Sequence, residues 1–141
     1  MIIALSTAGC ATYVTLEAER AYVLNRPAVR ADKRGYPVRV TVTKYLARLF
    51  PETPAAAINN RAVDCLLAGR TEEAAVLLAE AFAEGAGAAA ANNLGVTSEM
   101  LGDRAAAFRM YLTACMLEPN NERFRRNLIS FEGSRIETRI P

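Results

Sequence analysis

The sequence contains no histidine, and its three cysteines, Cys10, Cys65 and Cys115, are far apart. Histidine is the commonest general base and the commonest metal ligand, so its absence removes the usual centre of both kinds of site. The cysteine spacing differs from that of a zinc site or a redox-active pair. We therefore expect no catalytic residue, no metal and no cofactor, and we do not expect an enzyme.

Long apolar runs and a strong net charge are also missing. No segment approaches the roughly 20 apolar residues of a membrane-spanning helix, and a net charge of +2 is too small to indicate a nucleic-acid partner. The charge is unevenly distributed: residues 11–50 carry eight Lys or Arg and three acids, whereas residues 51–121 carry four and nine. This pattern is typical of solvated faces, although a basic N-terminal segment could also contact anionic lipid.

The second half of the chain contains an internal repeat. An offset of 33 residues aligns several positions of 88–121 with 55–87, and an offset of 34 starts a third unit near Glu122 that ends after one helix. A helical pair of this size cannot bury its apolar face alone, so repeated pairs stack. The aligned pairs are Asn92-Asn93 with Asn59-Asn60, Gly102 with Gly69, Ala107 with Ala74, Tyr111 with Leu78, and Ala114 with Ala81.

The unit at 88–119 resembles the tetratricopeptide repeat. It has Leu94-Gly95 in a first helix, Gly102 at the turn, and Ala107, Tyr111 and Ala114 in a second helix that ends before a proline. The resemblance implies a mainly α fold, a tetratricopeptide-type α-solenoid of two helix-turn-helix repeats plus a capping helix at about 122–132. It also implies a protein-binding scaffold whose first helices line a concave groove.

Local signals place the helix ends. Gly69 and Gly102 stand where the first helix of each pair should stop, because glycine accepts the left-handed conformation of that position. Asp103 and Thr71 suit the N-cap of the second helices. Thr53-Pro54 offers an N-cap followed by proline at the first helical position, so the repeat domain is predicted to span 53–132.

The candidate binding site is a ladder of asparagines, Asn60, Asn93 and Asn127, at the same place in successive units. The resemblance implies that Asn at this place holds the backbone of an extended peptide, since the side-chain amide can both donate and accept. The same asparagines could instead bridge or cap adjacent helices. Lys is absent from the repeats, so groups for a terminal carboxylate are only partly present. The predicted partner-binding residues are Asn60, Val63, Leu67, Asn93, Val96, Glu99, Met100, Arg126 and Asn127.

The N-terminal part is predicted to differ in structure. Thr12–Glu17 and Val38–Thr43 alternate apolar and polar side chains, which predicts two short β-strands in a segment spanning 10–52. Asp32, Gly35 and Pro37 mark a turn. Residues 45–50 are interpreted as a short amphipathic helix ended by Pro51, and 133–141 as a flexible tail.

In residues 1–10, a short apolar stretch is followed by small residues and then by Cys10. This resembles the lipobox of bacterial lipoproteins, which implies lipidation of Cys10 and a location in the cell envelope. The match is partial, because Thr7 stands where the family favours Leu and no basic residue precedes the apolar run. Residues 1–9 are thus a candidate truncated signal. The alternative is that Ile2–Leu5 form a buried strand or a disordered terminus of a cytoplasmic protein.

Two functions remain open from the sequence. The first is a non-catalytic scaffold that binds a peptide or partner protein in the groove, with or without a membrane tether through Cys10. The second is a structural subunit of a complex assembled through its N-terminal strands, which would pair with another protein's sheet edge.

Overall fold

The computed structural model describes residues 23–137. In this range the chain is mainly helical, with a two-stranded antiparallel sheet followed by five helices in which each helix packs on the next. The elements are β1 (Val23–Ala31), β2 (Pro37–Tyr45), α1 (Pro54–Leu67), α2 (Thr71–Ala83), α3 (Gly87–Met100), α4 (Arg104–Leu117) and α5 (Glu122–Glu137).

The two strands form a β-hairpin that turns at Asp32–Tyr36. The N–H of Asp32 donates to the carbonyl of Tyr36 (2.9 Å), and the N–H of Gly35 donates to the carbonyl of Asp32 (3.0 Å). Gly35 has a φ of 82°, which glycine adopts without steric cost. The predicted turn and the strand predicted at 38–43 are confirmed. The partner of that strand is β1, however, and the strand predicted at 12–17 lies outside the described residues.

The helix boundaries follow most of the predicted signals. The hydroxyl of Thr53 accepts from the N–H of Ala56 (3.1 Å) at the start of α1, and a carboxylate oxygen of Asp103 accepts from Ala106 (2.9 Å) at the start of α4. Gly69 and Gly102 have positive φ, as their positions require. The N-cap predicted at Thr71 is wrong: Arg70 occupies that position without a side-chain cap, and Thr71 is the first helical residue.

Small residues let the helices approach closely. The alanines that recur at aligned positions of the two repeats are fully buried, and Gly95 of α3 lies directly against the ring of Tyr111 on α4. A β-carbon built on Gly95 would lie 2.5 Å from Cδ1 of that ring. Glycine is therefore required at this position of the repeat, because α3 and α4 approach each other closely there. The buried alanines are Ala74, Ala81, Ala107 and Ala114.

Two further predictions are corrected. Residues 45–50 are extended and do not form a helix, because their backbone groups pair with asparagine side chains instead of with one another. Helix α5 continues through 133–137, which the sequence analysis assigned to a tail, while 138–141 lie outside the described range. Among the helices described, none has the length and apolar character needed to cross a membrane.

Candidate functional site

The asparagines face a stretch of the same chain. Residues 44–49, here called the docked segment, comprise the last two residues of β2 and the four that follow. They run in extended conformation across α5, α3 and α1. We call the surface of these three helices that contacts the docked segment the docking face. It is built from Asn59 and Asn60 on α1, Asn92 and Asn93 on α3, and Asn127 on α5.

The first backbone unit of the docked segment is held from α5. The N–H of Tyr45 donates to Oδ1 of Asn127 (2.9 Å), and Nδ2 of Asn127 donates to the carbonyl of Tyr45 (2.8 Å). The same carbonyl accepts a second hydrogen bond from Nδ2 of Asn92 (2.8 Å). One side-chain amide thus pairs with both polar groups of a backbone unit, as a neighbouring strand would.

The next two units repeat this geometry on α3 and α1. Ala47 donates to Oδ1 of Asn93 (2.8 Å), and its carbonyl accepts from Asn93 (2.7 Å) and Asn59 (3.0 Å). Leu49 donates to Oδ1 of Asn60 (2.8 Å) and accepts from its Nδ2 (2.6 Å). The recognised units are two residues apart, which is the period of an extended chain that presents one edge.

The asparagines also link the helices to one another. Nδ2 of Asn93 donates to Oδ1 of Asn59 (3.0 Å), and Nδ2 of Asn127 donates to Oδ1 of Asn92 (2.8 Å). These four side chains are fully buried, so each polar atom that lost its partner would carry a desolvation cost. The two alternatives left open by the sequence, binding an extended backbone and bridging adjacent helices, are both present in the same residues.

The side chains of the docked segment point alternately to two sides. Ala47 and Leu49 join a buried cluster of small side chains that includes Ala55 and Ala89. Leu46 belongs to a different buried cluster, which it shares with Val63. Each side of the strand therefore contacts its own part of the helical core, as the two-residue period of a strand requires.

Both basic side chains of the docked segment meet acids of the helices. Nζ of Lys44, whose side chain is 3% exposed, lies 2.8 Å from a carboxylate oxygen of Glu99 and 5.3 Å from the centre of the Tyr111 ring. Arg48 pairs with Asp64 of α1. The hydroxyl of Tyr111 also donates to Glu99 (2.7 Å), and burial together with that carboxylate raises the pKa of Tyr111.

The predicted site residues are not equivalent in the structure. Asn60, Asn93 and Asn127 contact the docked segment directly, and Glu99 binds Lys44. The remaining predicted residues do not supply the hydrogen bonds that hold the backbone of the segment. Of these, Val63 and Val96 are buried, Met100 is half-buried, Leu67 is exposed, and Arg126 pairs with Glu122.

Arg126 also touches the docked segment from the side. A hydrogen bond with the Tyr45 side chain is the main cause that raises the pKa of Arg126, followed by its contact with Glu122. The guanidinium is exposed, so this contact lies at the margin of the docking face.

The sequence analysis missed the occupant of the site and its second acid, Asp64. The signal was present in the charge distribution, since basic residues gather before the repeats and acids gather within them. Lys44 and Arg48 stand four residues apart, which suits one face of a helix as well as one face of a strand. Their spacing therefore does not distinguish the two conformations.

Other chemistry is sparse in the part of the chain that the structure describes. No group of His, Cys, Asp or Glu with the makings of a metal site occurs between 23 and 137. Cys65 and Cys115 are free thiols, and burial raises the pKa of each. Cys10 lies outside the described residues.

Comparison with protein-family models, with curated proteins and with solved structures returned no match.

Proposed function

We propose that this chain is a non-catalytic protein-interaction scaffold, a tetratricopeptide-type α-solenoid whose docking face is the concave groove that binds an extended polypeptide. The observation that carries the proposal is the pairing of Asn93 with both backbone groups of Ala47, repeated by its counterparts on α1 and α5. In this conformation the bound polypeptide is the chain's own docked segment.

Recognition through backbone groups permits exchange of the occupant. Any extended segment offers the same N–H and C=O groups every two residues, so a partner's segment can occupy the asparagines once the docked segment leaves. Only residues 50–53 connect the docked segment to α1. This short connection keeps the local concentration of the docked segment high, so a partner must outcompete it.

The test is site-specific photo-cross-linking in the native host. A photoreactive side chain at exposed Leu67, which is seven residues after Asn60 and therefore on the same face of α1, should yield discrete cross-linked proteins. One at Met116, which is 72% exposed on α4, serves as the control. Equal yields from the two positions, or none from Leu67, would contradict binding in the groove.

A second candidate function is assembly through the hairpin, and the geometry of its edges favours it. Asp32 and Tyr36 are a hydrogen-bonded pair, and hydrogen-bonded pairs recur at every second residue along an antiparallel hairpin. Thr41 of β2 lies opposite Pro27 in a non-hydrogen-bonded pair, so its backbone N–H and C=O point away from β1. This is the same edge that Asn127 holds at Tyr45. On the opposite edge, Pro27 of β1 lacks an N–H, which makes β2 the better edge for an added strand.

This candidate is tested by two matched proline substitutions. Thr41→Pro removes an outward N–H from β2, and Val29→Pro removes an outward N–H from β1 without changing the ladder between them. With a photoreactive group at exposed Arg39, loss of cross-linking in Thr41→Pro and retention in Val29→Pro supports strand addition at β2. The same yield in both variants would contradict it.

A lipid on Cys10 would tether the scaffold to a membrane and place its partners in the cell envelope; without one, the search moves to the cytoplasm. Intact mass of the chain expressed in a bacterial host distinguishes these two cases. A diacyl or triacyl mass increase on a chain beginning at Cys10, absent in Cys10→Ser, supports the tether. An unmodified mass would contradict it.

A further inference from the structure

The asparagines alone leave the register of the docked segment undetermined. Within the docked segment, the asparagine amides hydrogen-bond to backbone atoms, and the contacted units are two residues apart. If the segment slipped by two residues so that residues 43, 45 and 47 took these places, every asparagine would meet an equivalent backbone unit. In the opposite slip only Asn60 would lose a donor, because Pro51 has no N–H. In strands, a buried side-chain pattern is what resolves such a choice. Side chains must therefore select the register in this groove.

The groove offers three side-chain positions on one side of the segment. The first holds Lys44 against Glu99 and the ring of Tyr111. The second holds Leu46, which is 6% exposed, in the cluster around Val63. The third, nearer the solvent, holds Arg48 against Asp64. The order along the segment is a basic residue, an apolar residue and a basic residue, each separated by one position.

A slip in either direction breaks this order. A shift by two residues one way places Leu46 against Glu99 and the Arg48 guanidinium in the apolar position. The opposite shift brings Lys44 into that position. Such a slip exchanges one set of backbone hydrogen bonds for a similar set, which gains little free energy. It also buries a charge without a partner, which costs much more. On the other side of the segment, the position of Ala47 is surrounded by buried alanines, so it accommodates only a small side chain.

We infer that the groove selects extended segments in which basic, apolar and basic side chains alternate at two-residue spacing with a small residue after the apolar one, and that a partner presents such a segment. The inference rests on the proposed groove-binding function and adds its specificity. Glu99 and Asp64 are the specificity-determining residues, while the asparagines supply affinity for any extended backbone.

The test opens the groove of the full chain and offers it defined peptides. Lys44→Glu with Arg48→Glu turns both charges of the docked segment against Glu99 and Asp64, so the segment should leave. The probes are a fluorescent peptide of residues 43–50 and the same peptide with both basic residues replaced by Glu. We expect the opened chain to bind the first peptide about tenfold to a hundredfold more tightly than the second.

The outcomes separate the inference from the proposed function. Binding of neither peptide by a chain whose Ala47 amide exchanges freely, which shows that the docked segment has left, would overturn groove binding itself. Equal binding of both would leave groove binding intact and overturn the charge-based selection. A docked segment that stays in place despite the reversed charges, seen as an Ala47 amide still protected from hydrogen exchange, would also overturn the selection.

A second variant covers a failure of the first to fold. Asp64→Lys with Glu99→Lys reverses the groove instead of the segment, and helicity by circular dichroism checks its fold. This variant should prefer the acidic peptide. Retained preference for the basic peptide would contradict the inference.

Discussion

Asn93 forms with Ala47 both hydrogen bonds that an adjacent β-strand would form: its Oδ1 accepts the N–H at 2.8 Å, and its Nδ2 donates to the carbonyl at 2.7 Å. The side chains of a helix thereby supply the hydrogen bonds that a neighbouring strand would otherwise supply. Because β2 continues directly into the docked segment, the ladder of the hairpin and the ladder of asparagines join at Tyr45. This continuity explains how a two-stranded sheet, which is marginal alone, is stabilised here.

Replacing Asn93 by Ala should destabilise the whole chain. The substitution leaves the buried N–H of Ala47 and Oδ1 of Asn59 without partners, and unsatisfied buried groups cost about 1–3 kcal/mol each. We expect the free energy of unfolding in urea to fall by about 2–4 kcal/mol. Asn60→Ala is the comparison, because Asn60 is only half-buried and water can replace its amide. A larger loss for Asn60→Ala than for Asn93→Ala would contradict this ranking.

Gly95→Ala should also be destabilising, for a steric reason. The new methyl would lie 2.5 Å from the ring of Tyr111, which is fully buried. Overpacking of this kind costs about 1–3 kcal/mol, measured by thermal or urea unfolding. The control is Gly133→Ala in α5, where a β-carbon meets nothing within 4 Å and alanine should stabilise the helix. Similar effects of both changes would rule out the close contact.

Tyr111 should make stability depend on pH in the alkaline range. Burial, and then the neighbouring Glu99, raise the pKa of Tyr111 above the value near 10 that tyrosine has in an unfolded chain. The unfolded state therefore loses this proton first, and the stabilising effect of the buried neutral phenol is present below about pH 10 and lost above it. Its contribution to the slope is about 1.4 kcal/mol per pH unit.

The comparison for this pH effect is Tyr111→Phe. The variant lacks the hydrogen bond to Glu99 and should be less stable by about 1 kcal/mol at pH 8. Urea unfolding from pH 8 to pH 11 should show the difference between the two proteins shrinking above pH 10. A difference that stays constant over this range would contradict the assignment to Tyr111.

Much of the helical region could be predicted because its determinants are local. Thr53-Pro54, Asp103 and the two turn glycines mark helix ends through their own backbone geometry, which needs no tertiary information. The failure at Thr71 is also local, because threonine is acceptable both as an N-cap and as the first helical residue. The helix begins one residue earlier than predicted, so Arg70 is the N-cap and Thr71 is the first helical residue.

The docked segment could not be predicted in the same way. The conformation of residues 45–49 depends on amides that are 11 to 82 residues distant in sequence. Without those amides, Tyr45, Leu46 and Leu49 have the spacing of an amphipathic helix. The asparagines were recognised as a ladder for an extended peptide, but nothing local identifies the peptide as part of the same chain.

The most direct measurement of the central claim is site-resolved amide hydrogen exchange of the full chain. The account predicts strong protection of the Tyr45, Ala47 and Leu49 amides, each bonded to an asparagine, and predicts that Asn93→Ala reduces the protection of Ala47 most. Exchange of these three amides at the rate of an unstructured peptide in the unaltered protein would contradict docking of the segment on the asparagines.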